Sequence, residues 1–130
     1  MIFETWAEKA KPENQTEMNR RYRSLSESLG VLLAPIGEVW SNVLSVGNIE
    51  LYFRDGEHAS AIGDFLIAMV LTKTITGKLP DGKFRTALDF TVPLEFQSVK
   101  EDASEEEIIL GSEIVSLIRE NIQNVFVNKA

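Results

Sequence analysis

The sequence predicts an α/β fold with parallel strands, and three observations carry that expectation. Short apolar runs alternate with longer segments whose apolar residues recur every three or four positions, the pattern of β–α units. One run, Val31 to Pro35, is almost continuously apolar, as in a strand covered on both faces of a parallel sheet. The proportions, 44% hydrophobic and 25% charged in 130 residues, are those of a single compact domain rather than a disordered chain.

Taken in order, Met1 to Trp6 reads as a short apolar strand, followed by a polar link from Ala7 to Glu13. Asn14 with Glu17 three residues on has the capping-box form of a helix start. Met18, Tyr22, Leu25 and Leu29 then recur at helical spacing, and Gly30 is placed to close the helix. After the Val31–Pro35 strand, a second helix is expected over Glu38 to Val46, with Val39, Trp40, Val43 and Leu44 inward. Asn48 to Glu57 is a connection. A very apolar helix follows from about Ser60 to Thr76, carrying Ile62, Phe65, Leu66, Met69, Val70 and Thr74, with Ala61 and Ala68 as small contact points. Gly77 ends it, and Pro80-Asp81-Gly82 is turn chemistry.

Leu88, Phe90, Val92, Leu94 and Phe96 alternate with polar residues and Pro93, which argues for a half-buried edge strand or an arm crossing a surface. Ser104 with Glu107 is a second capping box, opening a terminal helix whose apolar stripe holds Ile108, Ile109, Ile114, Val115, Leu117, Ile118, Ile122 and Val125. The organisation is therefore one domain over 1–130: strand–helix units over 1–78, an extended arm over 79–103 and the terminal helix over 104–127. Two parallel strands with bare edges are fewer than independent stability usually requires. The chain reads as part of a larger sheet, or as one that pairs with another chain.

Composition removes several function classes. The net charge is −7 at pH 7, which repels phosphate backbones and argues against nucleic acid as a partner. The chain has no cysteine, which excludes disulfides, thiol catalysis and cysteine-ligated metals, and its single histidine excludes a His-rich metal site within one chain. No apolar run approaches the ~20 residues that cross a bilayer, so a membrane partner is not expected. The start of the chain has no leader pattern, which favours the cytoplasm for the sequence as it stands.

The strongest chemical signal is Asp55-Gly56-Glu57-His58, followed by Ser60 and Gly63. An Asp three residues before a His can fold back through a turn at Gly56, accept a hydrogen bond from one ring nitrogen and fix the tautomer. The other nitrogen is then free to take a proton from a hydroxyl nucleophile. The same four residues also suit a plain Asp-Gly turn followed by an exposed or helix-capping histidine.

The stretch from Leu51 to Gly63 resembles the C-terminal catalytic block of the SGNH (GDSL-type) hydrolases, in which an Asp-x-x-His pair supplies the acid and base of a serine esterase triad. Phe3-Glu4-Thr5-Trp6 resembles the strand carrying a Thr-Trp pair in one bacterial branch of that family. Leu33 to Trp40 is similar to its next strand and helix, Ile67 to Lys78 to the helix after the histidine, and Asp102 to Glu106 to the start of its terminal helix. The resemblance spans most of 1–78 and, more loosely, 101–125. It implies part of a flavodoxin-like, three-layer fold with a long C-terminal helix, Asp55 as orienting acid, His58 as general base and Trp6 near the active-site edge. The family's Gly-Asp-Ser-like nucleophile block has no counterpart: Gly63-Asp64-Phe65 has the wrong third residue, and Gly47-Asn48 stands in the wrong order to build the oxyanion hole. The expectation is thus the acid–base half of an ester hydrolase, inactive alone and without cofactor. Its partner would be a complementary N-terminal half or a second copy, and it would take a small ester substrate only once completed. The alternative is a non-catalytic α/β module for self-association or protein binding.

Other residues have plainer expectations. Ser60 is expected to cap the helix rather than act as nucleophile, and Ser24, Ser26, Ser28, Ser41 and Ser45 to be solvated helix positions. Trp6 and Trp40 suit a core or a subunit contact. Arg20, Arg21 and Arg23 suit the solvated face of a helix. Glu57, Asp64 and His58 could form an oxygen-rich metal site, but one histidine among scattered carboxylates is a poor ligand set.

Overall fold

The computed structural model describes residues 1–81, 85–86, 108–109 and 111–127. The protein is mixed α/β and mostly helical. In chain order the elements are β1 (Ile2–Phe3), α1 (Gln15–Leu29), β2 (Leu33–Ala34), α2 (Ile36–Val46), α3 (Ala61–Thr76), β3 (Arg85–Thr86), β4 (Ile108–Ile109) and α4 (Ser112–Val127). A short 3-10 turn, Pro12–Asn14, leads into α1. Strands β1 and β2 pair in parallel with Ile2 opposite Leu33 and Phe3 opposite Ala34, and β3 pairs antiparallel with β4. Among the described residues the parallel sheet has two strands, the number read from the sequence, and this does not confirm the partial flavodoxin-like fold implied by the resemblance.

Helices make the core. α2 contributes Ile36, Val39, Trp40 and Val43, α3 contributes Ile62, Leu66, Met69 and Val70, and α4 contributes Ile118, Ile122 and Val125, all essentially removed from water. Each set follows the three- and four-residue spacing that puts apolar side chains on one helix face. Leu51 and Tyr52, from the connection between α2 and α3, are buried in the same cluster. At roughly 1.5–3 kcal/mol for each fully buried large side chain, this three-helix contact dominates the stabilisation of the fold.

Several expected elements differ in extent or facing. The first strand stops at Phe3, and Glu4, far from being a strand-surface residue, is completely buried. Its backbone carbonyl accepts from the Gly37 amide at 3.3 Å, and its Oε1 accepts from the Glu38 amide at 2.7 Å. Glu4 therefore satisfies two open N–H groups of α2, one through its backbone carbonyl and one through its carboxylate, which explains why that helix starts at Ile36 rather than Glu38.

The Asn14 capping box does not form. Asn14 is already helical in the preceding 3-10 turn and makes no side-chain cap, while Glu17 is held by Arg20 and Arg21. The inward face of α1 is polar: Gln15 and Ser26 are buried, whereas Leu25 and Leu29 of the expected apolar stripe are exposed. Gln15 bonds the Ala7 amide through Oε1 and the Thr5 carbonyl through Nε2, so hydrogen bonds rather than apolar contact seat α1 on the strand exit.

Val31, Leu32 and Leu44 are likewise exposed, contrary to the expected two-sided burial of the second strand and the inward reading of Leu44. A sheet of two short strands has too little area to cover them. Ala68 faces outward from α3. Ile108–Ile109 forms strand β4 instead of the first turn of the terminal helix, which begins at Ser112. Pairing with Arg85–Thr86 supplies backbone hydrogen bonds that a helix start would leave open. The Leu88–Phe96 strand and the Ser104 cap lie outside the described residues.

Candidate functional site

The segment between α2 and α3 folds as a tight hairpin whose tip is Asp55-Gly56-Glu57-His58. Its stem is an antiparallel bridge between Tyr52 and Ala59, with the Phe53 amide on the His58 carbonyl at 2.8 Å and the Ser60 amide on the Leu51 carbonyl at 2.8 Å. The buried side chains of Leu51 and Tyr52 and the Tyr52 hydroxyl, which donates to the Ala7 carbonyl at 2.6 Å, root that stem in the core. At the tip, the Gly56 amide returns to the Phe53 carbonyl at 3.0 Å and Gly56 has φ of +71°. That is the left-handed region a side chain rarely enters, so the glycine is what lets the chain reverse here.

Asp55 organises the turn. Its Oδ1 accepts from the amides of Glu57 and His58, both at 2.9 Å, the self-closing turn that aspartate favours. Its Oδ2 lies 2.5 Å from Nδ1 of His58. The two residues singled out in the sequence are thus in direct contact through the nitrogen an orienting acid must hold. The imidazole is 79% exposed, and its Nε2 has no partner among the described residues.

Electrostatics follow from this geometry. The Glu57 amide, then the His58 ring and the His58 amide, hold the Asp55 carboxyl down at about 2. The hydrogen bond to Asp55 raises the His58 pKa above the usual 6.5. The imidazole therefore favours its Nδ1-protonated forms, leaving Nε2 as the basic nitrogen once the ring is neutral.

Around the pair, the other candidates separate. Ser60 turns inward: its Oγ accepts from the Gly63 amide at 3.2 Å and donates to the Glu50 carbonyl at 2.8 Å, which makes it the cap of α3 and not a nucleophile. Gly63 lies where an added Cβ would come within 2.4 Å of the Leu51 carbonyl, so α3 packs its first turn directly on the hairpin stem. Asp64 sits half-buried in that turn, its carboxyl pushed up by burial. A group of possible ligands does form, but from Asp55, Glu57 and His58, whose ligand atoms lie within 4.8 Å of one another. All three are exposed, and Asp55 already spends both oxygens on the turn and the ring.

Trp6 reaches the tip of the hairpin. Its Nε1 donates to the Glu57 carbonyl at 2.7 Å, and its ring stacks on Trp40 with centroids 4.3 Å apart and planes 7° from parallel. The residues that sequence reasoning missed belong to the same region. The polar link after β1 carries no site signal in the sequence, yet the Lys9 amide donates to the Gly56 carbonyl at 2.9 Å. A backbone bond of this kind leaves no mark on residue type.

Among the serines, Ser26 is buried and donates to the Val31 carbonyl at 2.6 Å, correcting its reading as a solvated position. Ser28 and Ser45 bond carbonyls of their own helices. Arg20 and Arg21 lie on the exposed face of α1 as expected, but Arg23 bridges to Glu38 of α2 at 2.6 Å. No protein-family model matches the sequence, and neither the curated proteins nor the solved structures contain a match.

Proposed function

We propose that this chain supplies the acid–base half of an SGNH-type ester hydrolase, with His58 as general base and Asp55 as the acid that orients it. The observation that carries this reading is the Asp55 Oδ2–His58 Nδ1 contact at 2.5 Å on a ring whose other nitrogen faces outward. Its place in the fold agrees. Trp6, three residues beyond the last residue of β1, touches the tip of the hairpin, so the pair lies toward the carboxyl end of that strand, where open α/β sheets hold their ligands. In the reaction, a serine from the complementary half would attack an ester carbonyl and pass its proton to Nε2 of His58. The developing imidazolium is stabilised by Asp55, and His58 then returns the proton to the departing alcohol.

The described residues place no serine hydroxyl on His58, and removing the nucleophile from such a triad costs about 10⁶-fold in kcat in a well-studied protease. The chain of 130 residues is therefore expected to be unreactive by itself. Incubation with a fluorophosphonate followed by intact-mass measurement should show the unmodified chain. A stoichiometric adduct would mean that a serine within these residues is activated, and the half-enzyme reading would fall.

A second reading, self-association, is favoured by a different observation. Pairing of β1 with β2 puts Met1, Val31 and Leu32 at the amino end of the sheet, close in the chain to Leu29, and all four are exposed, with Leu29 at 61% and Leu32 at 60%. Neighbouring apolar residues left open to water in this way favour burial against another chain.

A further inference from the structure

Two consecutive peptide planes at the hairpin tip are each held at both ends. In the plane joining Gly56 to Glu57, the carbonyl accepts from the Lys9 amide at 2.9 Å and the N–H donates to Asp55 Oδ1 at 2.9 Å. In the plane joining Glu57 to His58, the carbonyl accepts from Trp6 Nε1 at 2.7 Å and the N–H donates to the same Oδ1 at 2.9 Å. A peptide unit is rigid, so fixing its carbonyl aims its N–H. Loading the carbonyl also polarises the N–H, strengthening the bond that it makes. The stem bonds of the hairpin hold its two ends but neither of these planes, and Gly56 offers little resistance to rotation about them.

We infer that Trp6 is the positioning residue of the Asp55–His58 pair, acting through the Glu57–His58 peptide plane rather than through the imidazole itself. Its own position is fixed from the core. The Trp6 ring lies on Trp40, which is 1% exposed and packed among the buried residues of α2 and α3. A chain of contacts therefore runs from the core through Trp40, Trp6 and one peptide to the carboxylate that sets the basicity of His58. The importance of this for catalysis rests on the half-enzyme reading. The linkage itself concerns only proton affinity and stands apart from it. Among the described residues, Glu57 on the same loop also raises the His58 pKa, while Lys9 on the facing segment has its ammonium paired with Glu50 at 2.9 Å.

The test is an NMR titration of the single histidine. Trp6→Phe keeps an aromatic ring to lie on Trp40 and removes the indole N–H together with part of the stacked ring area. His58 should then titrate about half a pH unit or more lower, part of the way to the value in Asp55→Asn. Val125→Ala, which thins the core on α4, should lower thermal stability and leave the His58 titration where it is in the wild type. In the unmodified chain, the Trp6 indole proton should exchange slowly and its shift should follow the His58 titration with the same midpoint, a readout that survives if Trp6→Phe does not fold. A His58 pKa unchanged in Trp6→Phe, or an indole proton that exchanges freely or ignores the titration, overturns the inference. A fluorophosphonate adduct would bear on the half-enzyme reading and leave this one untouched.

Discussion

At the scale of single residues, His58 and Asp55 set opposite pH limits on one contact. The Asp55 carboxyl is depressed from 3.8 to about 2, so its contribution to folding is complete above pH about 3.8 and fades as pH falls through 2. His58 is raised from 6.5, so its contribution is complete below 6.5 and fades as pH rises through the raised value. The charged pair is thus best formed in mildly acidic solution, whereas a base role needs the neutral ring and a pH above the raised pKa. Titration should place the His58 midpoint above 6.5, with Asp55→Asn bringing it down and added salt doing the same in part, because the ring is exposed. A midpoint at or below the ordinary histidine value would remove the acid–base reading. Both residues were legible in the sequence because an Asp–x–x–His turn is closed locally. Trp6 was visible only through the family resemblance, since its bond is to a backbone atom 51 residues away.

Among the elements, α3 was the most legible. Ser60 caps it, Gly77 closes it in the left-handed conformation, and its buried residues keep helical spacing. Ser60→Ala should cost about 1 kcal/mol of stability through the lost cap. Gly63→Ala should cost more, about 1–3 kcal/mol, because the added methyl meets the Leu51 carbonyl. Denaturant unfolding of the two variants checks the order. Equal losses would mean that the hairpin stem gives way easily, and the tip would then be less firmly held than its bonds imply. α1 turns a different face inward from the one its apolar spacing predicts, for a physical reason. Its apolar residues do keep helical spacing, but spacing says which residues share a face and not which face the fold covers. Here Gln15 and Ser26, with bonds to Ala7, Thr5 and Val31, turn the polar face inward. The start of α2 was displaced by a carboxylate 34 residues earlier, Glu4, and no pattern near Glu38 announces that.

For the whole molecule, the alternation of strands and helices correctly gave a mixed α/β protein, while the extent of the parallel sheet was overestimated. Runs such as Val31 to Pro35 supply β propensity, but only Leu33–Ala34 finds a partner strand among the described residues. Met1, Val31 and Leu32, all exposed, lie at the amino end of that sheet, and the Asp55–His58 pair lies toward the carboxyl end. Association through the first would leave the second open. Size-exclusion chromatography with light scattering at micromolar concentration should give a mass above that of one 14.6 kDa chain, shifted toward monomer by Leu29→Glu with Leu32→Glu. The His58 midpoint should be the same in both forms. A monomer for the unaltered chain sinks the association reading.

The Trp6–Trp40 stack has a spectroscopic consequence. These are the only two indoles in the chain, held nearly face to face. Chromophores that close share their excitation, so their circular dichroism should carry a paired positive and negative band that neither ring produces alone. Because one member of the couple grips the hairpin tip, that band is a built-in optical gauge of whether the tip is seated, readable without any label.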